Sequence, residues 1–376
     1  MNFDVILKAM RILILPFIAK PKTGSAYRLT KSLISALSIK RNAIAVSASA
    51  ENGFRHISLY PETSPDPVHP LHAVKKRSYE QWLAEQGAGT EKYLNKDADT
   101  IANIIERFRP DLIIVIDRIA GAAAAKEKKI PCWAVVSSSV YRNVDVSTYM
   151  KSFNRFLSSR KMEQVFTLKD LYDTCDKRIG FGPSSVHPFP SSSDIMRIGM
   201  RCIRPVIMPS EKRITVYFDD TSIRAGKLRR LLITAFHDRE CEVRAGYPGC
   251  YIENTGCLKF LPYFREDLLS GSELVIHDGS SWLMDACIAR GIPQIIIHDH
   301  SYIRSWNGQN LERTGLGIRI PEKELTAERL SKCTAKILND PSYAEKAAEV
   351  MQEAYALGDL CSLYPLLERS AFFQTE

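Results

Sequence analysis

Residues 271–321, GSELVIHDGSSWLMDACIARGIPQIIIHDHSYIRSWNGQNLERTGLGIRIP, decide the fold. Positions 275–277 form a short, mostly apolar run, and 278–281 is the polar turn Asp-Gly-Ser-Ser. Residues 282–290 carry helical spacing until the Gly-Ile-Pro at 291–293 stops them, and a buried strand is predicted at 294–297. A Gly- and Ser-containing turn between the carboxyl end of a buried strand and the start of a helix suits an anion. Backbone N–H groups and the positive helix end point toward it, and the hydroxyls of Ser280 and Ser281 add donors. The same turn also reads as an ordinary strand-to-helix connection with a serine cap.

The same grammar runs through both halves of the chain. In the first, strands are predicted at 11–17, 43–48, 112–116 and 132–136, with helices at 25–37 and 120–126. Strands that are apolar throughout and separated by helices imply a parallel sheet covered on both faces. Residues 62–88, rich in Pro, His, Lys and Arg, read as a long loop with a short helix at a domain mouth. The run 181–213 holds five prolines and many serines and reads as a connection between domains. Alternation restarts with strands at 214–218, 242–245 and 258–260 and a helix at 226–237, and later helices are predicted at 327–338 and 343–356. The expected architecture is α/β: two Rossmann-like doubly wound domains facing across a cleft. They cover 10–190 and 212–355, with a linker at 191–211 and a C-terminal helix at 356–376 returning to the first domain.

A chain of 376 residues, 45% hydrophobic and 25% charged, suits two globular domains. Its nine cysteines contain no C-x-x-C pair and no metal-type spacing, and Cys132 and Cys287 sit in apolar segments, so a reduced, cytoplasmic setting is expected. The apolar stretch 12–19 has no small-residue cleavage site after it and Asp4 precedes it, so it reads as a buried strand rather than a signal peptide. No run approaches the roughly 20 apolar residues that span a bilayer. The net charge of +8 comes in short clusters such as Lys75–Arg77 and Arg229–Arg230. These are solvated faces or footholds for an anionic partner: a nucleotide, a phosphorylated acceptor or, peripherally, an acidic membrane. Nucleic acid is not expected, because no binding motif accompanies the charge. No metal is expected either, since the acidic pair Asp219–Asp220 reads as a turn.

The 258–321 block resembles the donor-binding half of GT-B-fold glycosyltransferases, which use nucleotide-sugars. It is similar to the family-1 transferases and to the peptidoglycan N-acetylglucosaminyl transferase acting on lipid-linked intermediates. The shared features are the strand and turn at 272–279, an acidic residue eight positions past His277, the Gly-Ile-Pro, then Trp306–Asn307 and Leu311–Gly315, with a lead-in at Phe260–Pro262 and Leu268–Leu269. PDLIIVID (110–117) and KIPCW (129–133) match acceptor-domain strands. The resemblance implies that the first domain binds the acceptor and the second a UDP-sugar, with no cofactor beyond that donor. His277, Gly279, Ser280 and Ser281 would cradle phosphates, with Thr221 and Ser222 adding donors. Asp285 would bind the ribose, the backbone near Leu261 the base, Arg304 would lie near the sugar, and Asn307 would belong to the donor site. The acceptor, whether small molecule, glycan or lipid-linked, is left open.

Three departures stand out. Asp278 replaces a glycine of the usual H-G-G-x-G-T turn and sets a carboxylate beside a diphosphate. Ile303–Arg304 replaces the polar pair that holds sugar hydroxyls, and an Arg there suits a carboxylate or phosphate. Ser25 stands where family-1 enzymes carry a general-base His, and a Ser cannot take a proton unaided near neutral pH. Asp117, at the end of an apolar strand, is then the first candidate base, followed by His69 and His72 in the long loop. Two other readings compete: a catalytically silent GT-B protein that binds a nucleotide or partner, and a glycerophosphate-type transferase suggested by the string D-G-S-S-x-x-x-D.

Overall fold

The computed structural model describes residues 9–19, 24–38, 42–55, 57–65, 78–142, 146–191, 193–199, 213–219, 221–262, 266–299 and 301–367. They fall into two compact units, each built on its own seven-stranded sheet.

The first sheet comprises β1 (Arg11–Pro16), β2 (Ala43–Ser47), β3 (Ser58–Tyr60), β4 (Leu112–Ile116), β5 (Cys132–Val136), β6 (Lys177–Phe181) and β7 (Ile195–Ile198), in the order β3-β2-β1-β4-β5-β6-β7 and parallel throughout. Its central strands are buried on both faces, which is why they read as continuous apolar runs. Around it lie α1 (Gly24–Leu37), α2 (Tyr79–Glu85), α3 (Glu91–Phe108), α4 (Ile119–Glu127), α5 (Ser147–Ser159) and α6 (Leu168–Tyr172). Thr90 caps α3 by accepting the Tyr93 N–H, and the helix buries Ile101, Ile104, Ile105 and Phe108. Strand order reverses between β1 and β4, so the loops leaving these strands frame the crevice where α/β sheets bind ligands. The last described stretch, residues 360–367, packs Leu360, Leu363 and Leu367 into this first core, and the Tyr364 hydroxyl donates to the Ala36 carbonyl.

The second sheet comprises β8 (Arg213–Tyr217), β9 (Glu242–Gly246), β10 (Glu253–Thr255), β11 (Leu258–Phe260), β12 (Ser272–His277), β13 (Gln294–His298) and β14 (Gly317–Pro321). Its order is β10-β11-β9-β8-β12-β13-β14, with only β10 antiparallel to its neighbour. Helices α7 (Ala225–Phe236), α8 (Ser281–Ile288), α9 (Tyr302–Arg313), α10 (Ala327–Asn339) and α11 (Ser342–Ala356) complete the unit. Here the reversal falls between β8 and β12, the strand that opens onto the Asp-Gly-Ser-Ser turn.

The expected linker at 191–211 needs correction. Residues 195–198 form β7, paired in register with β6, while Gly182–Pro188, expected in the first domain, belongs to the second unit. The reason is packing: Val186 is fully buried among Met284, Ile288, Leu311 and Val350, and the Ser185 hydroxyl donates to Glu353 over 2.7 Å. Residues 200–211 of that linker lie outside the described residues. Among the described residues, no helix is long and apolar enough to cross a membrane.

Candidate functional site

Because the second sheet is parallel, the residues the sequence singled out leave its strands at one edge. Thr221 and Ser222 follow β8, Leu261 follows β11, the turn 278–280 follows β12, and Arg304 and Asn307 lie on the helix after β13.

The turn is built from inside the domain. His277 ends β12 wholly buried, its Nδ1 accepting the Gly279 N–H (3.1 Å) and its Nε2 donating to Gln294 Oε1 (2.8 Å). Burial holds the imidazole below its ordinary pKa, so it is a neutral ring fixed in one tautomer. Both nitrogens are engaged, so His277 shapes the turn and has no donor left for a phosphate. Gly279 has φ +81, and a Cβ there would come within 2.7 Å of the Ile296 Cγ2 atom, so only glycine fits. Asn307, also buried, donates to the Gly279 carbonyl and to the Ser281 hydroxyl, both at 2.9 Å, locking α9 onto the turn.

Ser280 occupies the N-cap position of α8 without a side-chain cap bond, and its buried Oγ has no hydrogen-bond partner among the described residues. Leaving such a hydroxyl unpaired is costly, and an anion seated on the helix end would satisfy it. Thr221 Oγ1 accepts the Ile223 N–H (3.1 Å), which leaves its proton for a ligand. The Ser222 proton, by contrast, is given to the Glu322 carboxylate. Leu261 donates its N–H to the Ala245 carbonyl (2.7 Å), and its own carbonyl faces Gly246 closely enough that a Cβ there would sit 2.8 Å away.

Two of the sequence departures turn out to answer each other. The buried Asp278 carboxylate accepts the Ser280 N–H through Oδ1 (3.0 Å), and its Oδ2 lies 3.2 Å from Arg304 Nη2. Arg304 Nη1 lies 3.4 Å from Asp299 Oδ2. The guanidinium thus stands between two carboxylates, and the expectation that Arg304 selects an anionic donor sugar loses its basis. The carboxylate at Asp278 is paired with a cation of the protein itself.

Asp285 projects from α8, nearly buried, with Oδ1 2.7 Å from His187 Nε2. His187 escapes the sequence reading because it lies in the Pro/Ser-rich run taken for a connection. Gly182, at φ +78, makes room for it, since a Cβ there would fall 2.5 Å from the imidazole Cδ2. The signal available was Val186, an apolar residue inside an otherwise polar stretch.

In the first unit, Asp117 leaves β4 in the left-handed region (φ +57), which Asp tolerates better than most residues. Its Oδ1 accepts the Tyr79 hydroxyl at 2.7 Å. Burial pushes the carboxyl up to about 6, with the Tyr79 hydrogen bond opposing the rise. Next to it, Arg118 turns away and forms a buried bidentate pair with Asp97 on α3 (2.6 and 3.0 Å), donating also to the Ser47 carbonyl (2.9 Å). His69 and His72 lie outside the described residues. Also among the described residues, no three His, Cys, Asp or Glu side chains converge as metal ligands.

Residues 233–359 match the family described as "Erythromycin biosynthesis protein CIII-like, C-terminal domain". The chain is 30% identical over 118 residues to the aclacinomycin-T 2-deoxy-L-fucose transferase of Streptomyces galilaeus, covering 31% of this chain and 26% of that protein. It is 22% identical over 205 residues, 48% of each protein, to the 3-alpha-mycarosylerythronolide B desosaminyl transferase of Saccharopolyspora erythraea. The alignments thus span between about a quarter and about half of these curated relatives. Over 96% of its length the chain superposes on 98% of the calicheamicin glycosyltransferase CalG4 (TM-score 0.74, 15% identity). It matches the whole of the spinosyn rhamnosyltransferase SpnG complexed with thymidine diphosphate equally far (96% of this chain and 100% of that one, TM-score 0.73, 16% identity). The fold is GT-B, two parallel-sheet α/β domains, and residues 233–359 are similar to the erythromycin CIII-like C-terminal domain.

Proposed function

We propose that the protein is a glycosyltransferase that moves a sugar from a nucleoside-diphosphate donor to a hydroxyl of a small-molecule acceptor, without a metal ion. The observation that carries this reading is the buried, unpartnered Ser280 hydroxyl at the N-terminus of α8, on the strand edge where the sheet order reverses. The acceptor oxygen attacks the anomeric carbon, and its proton passes to the Asp117 carboxylate. The carbon–oxygen bond to the diphosphate breaks with its electrons on the leaving group, which the helix end and the Ser280 and Thr221 hydroxyls stabilise. Asp285 remains the candidate for a ribose hydroxyl, through the oxygen not held by His187.

Relatives carrying 2-deoxy-L-fucose, mycarose and desosamine in their names favour a deoxysugar as cargo. The occupied Arg304 agrees with this, since it offers no free fork for a hydroxyl-rich or acidic sugar. Solved neighbours bound to thymidine diphosphate add that nucleotide to UDP as a candidate carrier.

Calorimetry with UDP and thymidine diphosphate tests the site. Replacing Ser280 and Ser281 together by Ala should weaken whichever nucleotide binds by roughly ten- to a hundredfold, as expected when hydrogen bonds to a charged group worth about 1.5–3 kcal/mol are removed. The melting temperature should fall by only a few degrees, because Ser281→Ala also removes the hydroxyl that accepts from Asn307, whose bond to the Gly279 carbonyl remains. Equal affinity for both proteins would remove these serines from the site. Nucleotide binding without any donor hydrolysis or transfer would favour the silent, ligand-binding reading that Ser25 suggests.

A further inference from the structure

Asp117 meets two buried phenols that the chemistry above does not use. Tyr79 on α2 gives its one hydroxyl proton to Asp117 Oδ1 at 2.7 Å, so its oxygen is left to accept from Tyr172 on α6, 3.3 Å away. Both rings are buried to 1% exposure. Burial and the nearby carboxylate push both phenols well above their usual pKa, so they stay protonated donors while Asp117 titrates.

The scaffold around them is specific. Ser78 caps α2 through the Gln81 N–H (3.0 Å), and Trp82 stacks on Tyr79 with ring centres 5.7 Å apart. Glu80 accepts the Leu168 N–H (3.2 Å), tying α2 to the start of α6. On the sheet side, the Phe17 N–H donates to the Ile116 carbonyl (2.8 Å), fixing the strand end that presents Asp117. Among the described residues, the other charged groups nearby are committed elsewhere. Arg118 faces Asp97 and Ser47, and Glu80 faces Leu168. A pair of phenylalanines would fill the same space. What the hydroxyls add is a donor that binds the ionised carboxylate more strongly than the neutral acid, reinforced by the second phenol.

We propose that Tyr79 and Tyr172 are positioning residues that orient the Asp117 carboxylate and favour its ionised form, which rests on the reading of Asp117 as the proton acceptor. Tyr79→Phe removes only the hydroxyl. Its pH–rate profile should reach a plateau at high pH that is lower than the wild type's, from the lost orientation, and its acid limb should move up by about one unit or more. Donor KM should be unchanged, and Tyr172→Phe should move the limb the same way by less. A merely structural role would instead lower the rate by the same factor at every pH and leave the acid limb where it is. Carboxylate infrared bands, taken as the difference between each protein and its Asp117→Asn counterpart, follow the titration directly and need no turnover. An upward shift of the Asp117 titration in Y79F sustains the proposal, and an unshifted titration overturns it. If Y79F does not fold, the smaller shift in Y172F decides. Full activity of Asp117→Asn would sink the proton-acceptor reading separately, even with the titration shifted.

Discussion

Replacing Asp117 by Asn should slow sugar transfer by about 10²- to 10⁴-fold, the usual contribution of a positioned general base, while donor affinity stays at the wild-type value. The substitution keeps the shape and the acceptor for the Tyr79 hydroxyl and removes only the basic oxygen. A carboxyl pushed up to about 6 is ionised and competent at neutral pH, and protonated and idle below. The wild-type rate should therefore fall on the acid side of about pH 6, and the residual rate of the Asn variant should lack that limb. Steady-state kinetics across pH, with donor binding measured by calorimetry, reads both. An unchanged rate would make Asp117 a structural turn residue and send the search to His69 and His72.

How much of this was legible depended on where the physical signal lay. The strands β1, β4, β5, β12 and β13 announce themselves because burial on both faces forces their central residues to be an apolar run. The short edge strands β3 and β10 are half-exposed and carry no such run, so they escaped notice. The strand β7, IMRI within a proline-rich stretch, was hidden by its surroundings, although Ile198 is fully buried. In the site, the turn 278–281 was readable from its Gly and Ser content. What the residues do there was not. His277 looked like a phosphate ligand and is a fully bonded core ring. Asp278 and Arg304 looked like separate anomalies, 26 positions apart, because an ion pair formed by tertiary structure leaves no local pattern. The same holds for His187 with Asp285 and for Tyr79 with Asp117, each joining residues from distant segments.

The Asp278–Arg304 pair makes the second large prediction. Replacing Arg304 by Gln leaves a carboxylate at 2% side-chain exposure without its cation, and breaking a buried pair from one side typically costs about 3–5 kcal/mol. For a domain of this size that corresponds to a fall of roughly 10 °C in melting temperature. Donor affinity should fall at the same time, by tenfold or more, because an unbalanced negative charge would then sit in the turn that receives the diphosphate. Asp278→Asn combined with Arg304→Gln removes both charges and keeps the oxygen that accepts the Ser280 N–H. The double variant should therefore regain most of the lost stability and most of the donor affinity. If Arg304 instead contacted the donor directly, the double variant would bind as poorly as Arg304→Gln alone while recovering its stability. Thermal melts and calorimetry on the four proteins of the cycle measure the coupling, and strictly additive effects would mean that the two residues act independently.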